Sequence, residues 1–349
     1  MEIKDRVAAL PGALLPWYQT NHRDLPWRQD KDPYHIWVSE IMLQQTRVEA
    51  VKGYYSRFLS QLPDIAALAV CEDTQLHKLW EGLGYYSRVR NLKKAAIRVM
   101  EDHNGEFPKE YSAVLALPGI GAYTAGAICS IAYDQPTPAV DGNVLRVYSR
   151  ITDDDTPIDL PDFKREVQER LRSVYPAEAG EFTQALMELG ATLCGPNRAP
   201  ECDACPCQGI CLARANGTAE QLPVKTPKRG RRKEDMTVLL LRCGDRFALQ
   251  KRPATGLLAD LWQFPNVPGK LDMNAVLLVV EKLSLKPKET IMQMEKKHIF
   301  THIEWDMRGV LMEVADESPE FVWCDAGRIV NEMALPTAFR QFWEEIQGL

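Results

Sequence analysis

The chain has 349 residues, 45% of them hydrophobic, enough for about two domains with cores of their own. With 42 Lys and Arg against 48 Asp and Glu, the net charge of −6 excludes a protein that coats nucleic acid by bulk charge, though not one with a local basic face. No apolar run approaches the ~20 residues of a membrane span, and the opening M-E-I-K-D-R-V lacks a secretory layout, so a cytoplasmic bacterial protein is expected.

From the N-terminus to about residue 215, apolar residues recur at three- and four-residue spacing, as in R-N-L-K-K-A-A-I-R-V-M. That period predicts a helical region. Loops are expected at F-P-K-E, D-Q-P-T-P and D-D-D-T-P. Two clusters, L-P-W-R-Q-D-K-D-P-Y and G-L-G-Y-Y-S-R, mix aromatics with Gly or Pro and read either as binding loops or as packing corners. Arg47, Lys52, Arg57, Arg88, Arg90, Lys93 and Lys94 are candidate phosphate contacts or an ordinary solvated helix face.

The stretch Leu117 to Ala127 reads L-P-G-I-G-A-Y-T-A-G-A. Pro118, Gly119 and Gly121 predict a tight hairpin that opens a helix of small residues. Glycine lets the backbone turn sharply and approach a ligand, and the N–H groups at a helix start form an anion site. Twenty positions after Gly121 comes Asp141, in V-D-G-N-V-L-R, placed as a helix N-cap. A phosphate-holding hairpin followed by a placed carboxylate suggests chemistry on nucleic acid. A packed helix–turn–helix is the plain alternative.

Five of the nine cysteines crowd between Cys194 and Cys211, spaced Cys194-x7-Cys202-x2-Cys205-x5-Cys211 with Cys207 as an extra. In a reducing compartment this points to metal rather than disulfides. No histidine lies nearby, so the site would be all sulfur, and a [4Fe–4S] cluster and a structural zinc both fit. Residues 222–234, L-P-V-K-T-P-K-R-G-R-R-K-E, carry six basic residues and read as an extended, exposed linker.

Beyond the linker the pattern shifts to short β runs: M-T-V-L-L-L-R-C, R-F-A-L-Q-K-R-P, L-W-Q-F-P, H-I-F-T-H-I-E-W-D-M-R-G-V-L-M-E-V and E-F-V-W-C. N-A-V-L-L-V-V-E-K-L and T-A-F-R-Q-F-W-E-E-I read as helices, giving a small α+β domain.

Taken in order, W-V-S-E-I-M-L-Q-Q-T-R-V, the G-I-G hairpin with Asp141 and the four-cysteine loop resemble the helix–hairpin–helix DNA glycosylases that carry an iron–sulfur cluster. Within that group the chain looks like the MutY-type adenine DNA glycosylases. G-L-G-Y-Y-S-R-V-R-N-L, M-E-L-G-A and F-T-H extend the resemblance over nearly the whole chain. It implies a multidomain α and α+β protein: a helical helix–hairpin–helix glycosylase domain at 1–221 that includes the cluster loop 194–211, the basic linker 222–234, and a MutT/Nudix-like α+β domain at 235–349. It also implies one [4Fe–4S] cluster held by Cys194, Cys202, Cys205 and Cys211. Family members usually space the first two cysteines by six residues and lack a cysteine at position 207. The Nudix signature G-x5-E-x7-R-E-x2-E-E-x-G is missing here, so no phosphohydrolase activity is expected of the second domain.

The implied reaction is base excision from double-stranded DNA containing adenine opposite 8-oxoguanine or G, by a monomer at the bacterial nucleoid. The adenine is flipped out and hydrolysed away to leave an abasic site. Glu40, read as lying in an apolar helix start, would be kept protonated by burial and act as the general acid. Its plain alternative is a helix N-terminal glutamate favoured by the macrodipole. Asp141 would stabilise the oxocarbenium-like sugar, Asn143 would orient that site, and Tyr123 would lie beside it. Tyr123 stands where related lyases carry a Schiff-base lysine, which favours a monofunctional enzyme. Leu25, Trp27, Arg28 and Gln184 would shape the adenine pocket, with Arg28 and Gln184 bonding the base. Gln45, Tyr85, Arg88, Gly119, Gly121 and Thr124 would contact DNA, Tyr85 as a wedge. Phe300, Thr301 and His302 would read 8-oxoguanine, with Thr301 where serine is usual, unless the segment is an ordinary strand. The competing readings are an endonuclease III-like lyase for oxidised pyrimidines and a non-catalytic iron–sulfur DNA-binding module.

Overall fold

A computed structural model describes residues 1–196, 198–227 and 230–349. The chain forms two compact units, one of Met1–Val70 with Arg90–Pro227 and one of Cys71–Val89 with Lys228–Leu349. The split differs from the contiguous boundary expected at residue 221. Residues 71–89 join the second unit, where Glu81 Oε1 accepts from the Leu335 N–H at 3.0 Å.

The first unit is helical, as the three- and four-residue spacing predicts. Its core gathers Leu10, Leu14, Val144, Tyr148, Phe163, Phe182 and Leu189 around the helices Leu10–Asn21, Gly142–Thr152, Pro161–Arg172 and Ala179–Ala191. The Ala179–Ala191 helix packs against Leu10–Asn21, Ala122–Tyr133 and Gly142–Thr152, and Ala122–Tyr133 packs in turn on Pro33–Leu43. Two glycines set these approaches. A Cβ at Gly126 would lie 2.3 Å from the Pro138 carbonyl oxygen, and one at Gly190 would lie 2.6 Å from the Asn143 Cβ. The hairpin before Ala122 turns at Gly119, whose φ of +77° favours glycine.

The second unit is built on a mixed sheet. Its strands are β1 (Arg232–Cys243), β2 (Arg246–Lys251), β3 (Trp262–Gln263), β4 (Asn266–Pro268), β5 (Pro287–Ile299), β6 (Ile303–Val314) and β7 (Val322–Asp325). The order is β3-β2-β1-β6-β5, with β4 also on β1 and β7 on β2. Strands β1 and β6 run parallel, Arg232 opposite Ile303 through Arg242 opposite Glu313. Both faces are covered, so alternate residues enter different cores. Val238, Leu240 and Leu311 meet Phe339 and Phe342 of the Thr337–Ile346 helix. Leu239, Leu241, Val310 and Met312 meet Val276 and Val280 of the Met273–Lys282 helix. This explains the unbroken V-L-L-L run.

Several expectations need correcting. The long run 298–314 is not one strand: β5 ends at Ile299 and β6 starts at Ile303, leaving Phe300–His302 in the turn. Strand β5 was not expected. It lies at the sheet edge, where P-K-E-T-I-M-Q-M-E-K-K-H-I keeps one side polar. The linker 222–234 is shorter than predicted, because Arg232–Glu234 already pair in β1. Its first half is not free either: Leu222 is buried, Val224 O accepts from the Ile158 N–H at 3.0 Å, and Thr226 bonds Asp159. Lys228 and Arg229 of that linker lie outside the described residues. No helix among the described residues is long and apolar enough to cross a membrane.

Gly126→Ala is therefore expected to destabilise the protein by about 1–3 kcal/mol through overpacking against backbone. Gly53→Ala, in helix Val48–Gln61 with nothing near its Cβ, is expected to stabilise by up to ~1 kcal/mol. Urea midpoints of the two variants measure the contrast.

Candidate active site

The Pro33–Leu43 helix opens on Asp32, whose side chain caps Tyr34 N, and is buried along most of its length. Glu40 lies in the C-terminal half of this helix, not at its start, so its placement owes nothing to the N-terminal dipole. Its side chain turns inward and is only 6% exposed. The Tyr123 Oη, from the second residue of the Ala122–Tyr133 helix, donates to Glu40 Oε2 at 2.5 Å. Burial pushes the Glu40 carboxyl up to about 7; the Tyr123 hydrogen bond opposes this, the Asp141 charge adds to it, and Arg28 opposes it again. The Tyr123 phenol itself is held well above its ordinary range by burial and by the neighbouring Glu40 and Asp141 charges.

Asp141 is the N-cap of the Gly142–Thr152 helix. Its Oδ1 accepts from the Val144 N–H at 2.8 Å and its Oδ2 from the Asn143 amide at 2.7 Å. Burial raises the Asp141 pKa above its ordinary value; these bonds fix the carboxylate's aim and oppose that rise without cancelling it. Asn143 is braced from behind, since Arg146 Nη2 donates to its Oδ1 at 2.8 Å and to Gly190 O at 2.7 Å. The same Arg146 donates through Nε to Cys194 O at 2.8 Å.

One cavity of about 860 Å³ gathers these groups. Its lining includes Leu25, Trp27, Arg28, Glu40, Gln45, Gly121, Tyr123, Thr124, Asp141, Asn143 and Gln184. Two residues that the sequence did not single out complete the wall, Arg23 and Glu188. Glu188 is fully buried and accepts from Arg23 Nε at 2.6 Å and Arg28 Nη2 at 2.8 Å. Burial alone would raise its pKa, but the two guanidinium groups hold it below the ordinary range. A carboxylate inside the apolar M-E-L-G stretch was the available signal.

Not every predicted contact faces outward. Thr124 is 2% exposed and its Oγ1 accepts from Gln44 Nε2 at 3.4 Å, so it belongs to the cavity wall rather than to the hairpin surface. Gly119 turns the hairpin but is not among the residues that line the cavity. Gln45 is exposed with φ +58°. In the second unit, Tyr85 is 46% exposed with φ +47°, and its Oη lies 2.9 Å from Thr301 Oγ1. Non-glycine residues held in this region are strained, which is common at functional positions. Arg88 is not an open phosphate contact. It is 9% exposed, donates to Leu83 O at 3.0 Å and Gly84 O at 3.1 Å, and stacks over Trp80 and Tyr85. Phe300 packs edge-on to Trp305 with centroids 4.8 Å apart, while Thr301 and His302 are exposed.

The five clustered cysteines line a second, separate pocket, with Arg150 Nη1 donating to Cys194 Sγ at 3.1 Å. Cys194, Cys202, Cys205 and Cys211 are half-buried, whereas Cys207 is fully buried in the hydrophobic core. Among the described residues, no three His, Cys, Asp or Glu side chains converge as a single-ion site.

Two family models match the chain. Residues 38–176 match the HhH-GPD superfamily base excision DNA repair proteins, and residues 237–345 match the NUDIX domain. The adenine DNA glycosylase of Rattus norvegicus is 34% identical over 98% of this chain and 79% of its own length. The Homo sapiens adenine DNA glycosylase is 33% identical over 98% of this chain and 74% of its own. The chain belongs to the adenine DNA glycosylases. A further member of this family, from Buchnera aphidicola subsp. Schizaphis graminum, is 30% identical over 95% of this chain and 96% of its own. Among solved structures, a thermostable thymine-DNA glycosylase superposes with a TM-score of 0.55 at 27% identity, covering 61% of this chain and 98% of that one. Endonuclease III, at 22% identity and a TM-score of 0.52, shares the fold of the helical unit.

The Arg88 geometry gives a direct test. Arg88→Met is expected to lower the melting temperature, because two main-chain hydrogen bonds and two ring contacts go. The slope of log affinity for duplex DNA against log salt is expected to stay unchanged, whereas a lost phosphate contact would reduce it by about 0.9.

Proposed function

We propose that this adenine DNA glycosylase excises adenine opposite 8-oxoguanine or G, with Glu40 as general acid and Asp141 as the anionic partner of the sugar. The observation that carries this reading is the pairing of two carboxyl groups of unlike environment in one cavity. Burial pushes the Glu40 carboxyl, beside the Tyr123 phenol, up to about 7, while the burial that also raises Asp141 is opposed by hydrogen bonds from Val144 N and Asn143. An acid and a charge stabiliser are the two roles that cleavage of a glycosidic bond requires.

In the mechanism we infer, the adenine leaves the stack and enters the cavity. Leu25 and Trp27 supply apolar walls, and Gln184 and Arg28 supply polar contacts. Protonated Glu40 donates to the base, which makes it a neutral leaving group. Positive charge then builds on the sugar, and the Asp141 carboxylate stabilises it. Asn143 keeps that carboxylate aimed, and Tyr123 holds the Glu40 oxygen in place. Water completes the hydrolysis and leaves an abasic site. Tyr123 has no amine to form a Schiff base, so the enzyme is monofunctional in this reading. Gln45 and Tyr85 would contact the opened duplex, supported by their exposure and strained backbone. Thr301 and His302, exposed in the β5–β6 turn, would read the opposite 8-oxoguanine, with Phe300 anchoring the turn.

The cysteine loop is proposed to hold one [4Fe–4S] cluster through Cys194, Cys202, Cys205 and Cys211. The donor set fits: four half-buried thiols on one pocket, with a guanidinium donating to a ligand sulfur. Complete burial of Cys207 in the core favours the other four as ligands. When bound, the cluster would cross-link the end of the helical unit. The protein is proposed to act as a monomer at the nucleoid.

Glu40→Gln is expected to bind a duplex with adenine opposite 8-oxoguanine at near-parent affinity while losing at least ~10²-fold in single-turnover excision. Excision at the parent rate would remove Glu40 from the acid role. Borohydride treatment on the same duplex is expected to trap little covalent product, and efficient trapping would favour a lyase.

A further inference from the structure

The wall of the proposed adenine pocket carries a charge cluster in which Arg28 is joined by two residues, Arg23 and Glu188, that the reaction as described does not use. Glu188 has no exposed side-chain surface, Arg28 is 10% exposed and Arg23 is 37% exposed. Glu188 Oε1 accepts from Arg23 Nε at 2.6 Å and from the Arg23 N–H at 3.2 Å. Its Oε2 accepts from Arg23 Nη2 at 3.0 Å and Arg28 Nη2 at 2.8 Å. Arg28 is held from two further sides: Nη1 donates to Arg23 O at 3.0 Å, and its guanidinium sits 5.6 Å over the Tyr18 ring. One carboxylate against two guanidinium groups leaves the cluster with one net positive charge. Arg28, Arg23, Glu188 and Glu40 line the same cavity.

A fixed positive charge on this wall has a cost for an acid that must stay protonated. A cation near a carboxyl group favours loss of its proton. Arg28 acts on Glu40 in that sense, alongside Tyr123 and against Asp141, and these are the groups that face Glu40. Glu188 faces Arg23, Arg28 and Tyr18; Glu49 acts on Arg23, and Glu181 on Tyr18. A polar wall that bonds a base is useful only if its charge does not discharge the acid. Glu188 satisfies both needs, because it fixes the direction of Arg28 and offsets its charge from within the protein.

We propose that Glu188 is a positioning residue for adenine excision, whose buried carboxylate aims Arg28 along the cavity wall and offsets the guanidinium charge that faces Glu40. The proposal rests on the assignment of Glu40 as the acid. Two substitutions change the cluster's charge in opposite directions. Glu188→Gln raises it by one and Arg23→Met lowers it by one.

The experiment is single-turnover excision with enzyme in excess over a duplex carrying adenine opposite 8-oxoguanine, from pH 5.5 to 8.5. In the parent, the rate is expected to fall as pH rises through about 7, where Glu40 would lose its proton. In Glu188→Gln this limb is expected to move down by about 0.5–1 pH unit. The rate would then be about five-fold below the parent at pH 8 and within about two-fold at pH 5.5. In Arg23→Met the limb is expected to move up. Adding Arg28→Gln to Glu188→Gln removes the uncompensated charge and is expected to return the limb towards its parent position. Equal loss at every pH in both single variants would overturn the proposal, as a structural role lowers the active fraction without moving the limb. Should Glu188→Gln fail to fold, the upward shift in Arg23→Met decides the matter alone, and no shift or a downward shift there overturns it. Glu40→Gln, carried in parallel, separates the two assignments: a limb that persists in that variant overturns the acid assignment itself.

Discussion

The removal of the Glu40 carboxyl from water is the constraint around which the helical unit is arranged. A carboxyl group at the surface is ionised at neutral pH and is of little use as an acid. Burial in the C-terminal half of an apolar helix changes that, but it needs a partner for the polar group. Tyr123 supplies it, at 2.5 Å, and it can do so only if the Ala122–Tyr133 helix lies close to the Pro33–Leu43 helix. That second helix is rich in small residues, and its Gly126 lets the Pro138 carbonyl approach to where a Cβ would stand. The same tight route delivers residues 138–141 to the cavity, so Asp141 arrives as a helix N-cap already aimed.

The two carboxyl groups are separated in character by what surrounds them. Glu40 meets apolar side chains and one phenol, which favours the neutral form. Asp141 is also raised by burial, but a backbone N–H and an amide donate to it and oppose that rise. Behind Asp141, the Asn143–Arg146 pair continues to the carbonyl of Cys194, so one guanidinium braces both the cysteine loop and the amide that holds Asp141. The Glu188 cluster braces Arg28 in the wall of the same cavity. Arg146 is buried and the Arg28 side chain is only 10% exposed, and their donors are taken up by carbonyl, amide or carboxylate oxygens, which is how such charges are tolerated away from water.

Much of this was legible in the sequence because it is local. An Asp before G-N-V-L-R reads as an N-cap, a G-x-G turn reads as a helix entry, and five cysteines within eighteen positions read as one site. The unbroken V-L-L-L run announces a strand buried on both faces. What was missed depends on distant partners. Arg23 and Glu188 stand 165 positions apart and are single charges in the sequence, ordinary until the fold joins them. Arg88 looked like a surface cation because its helix is basic, but the Leu83 and Gly84 carbonyls turn it inward. Thr124 looked like a hairpin contact, but it lies one turn into a helix that is buried from that point on. Strand β5 escaped because an edge strand rich in Lys and Glu has the composition of a solvated helix.

The central claim is that the fold holds Glu40 as an acid near neutrality before any substrate arrives. An infrared difference titration of the free protein, taken against Glu40→Gln, reads that carboxyl directly. The account predicts a protonated-carboxyl band that persists above pH 6 and is lost with a midpoint of about 7. Loss of that band near the ordinary value of 4.5 would contradict it.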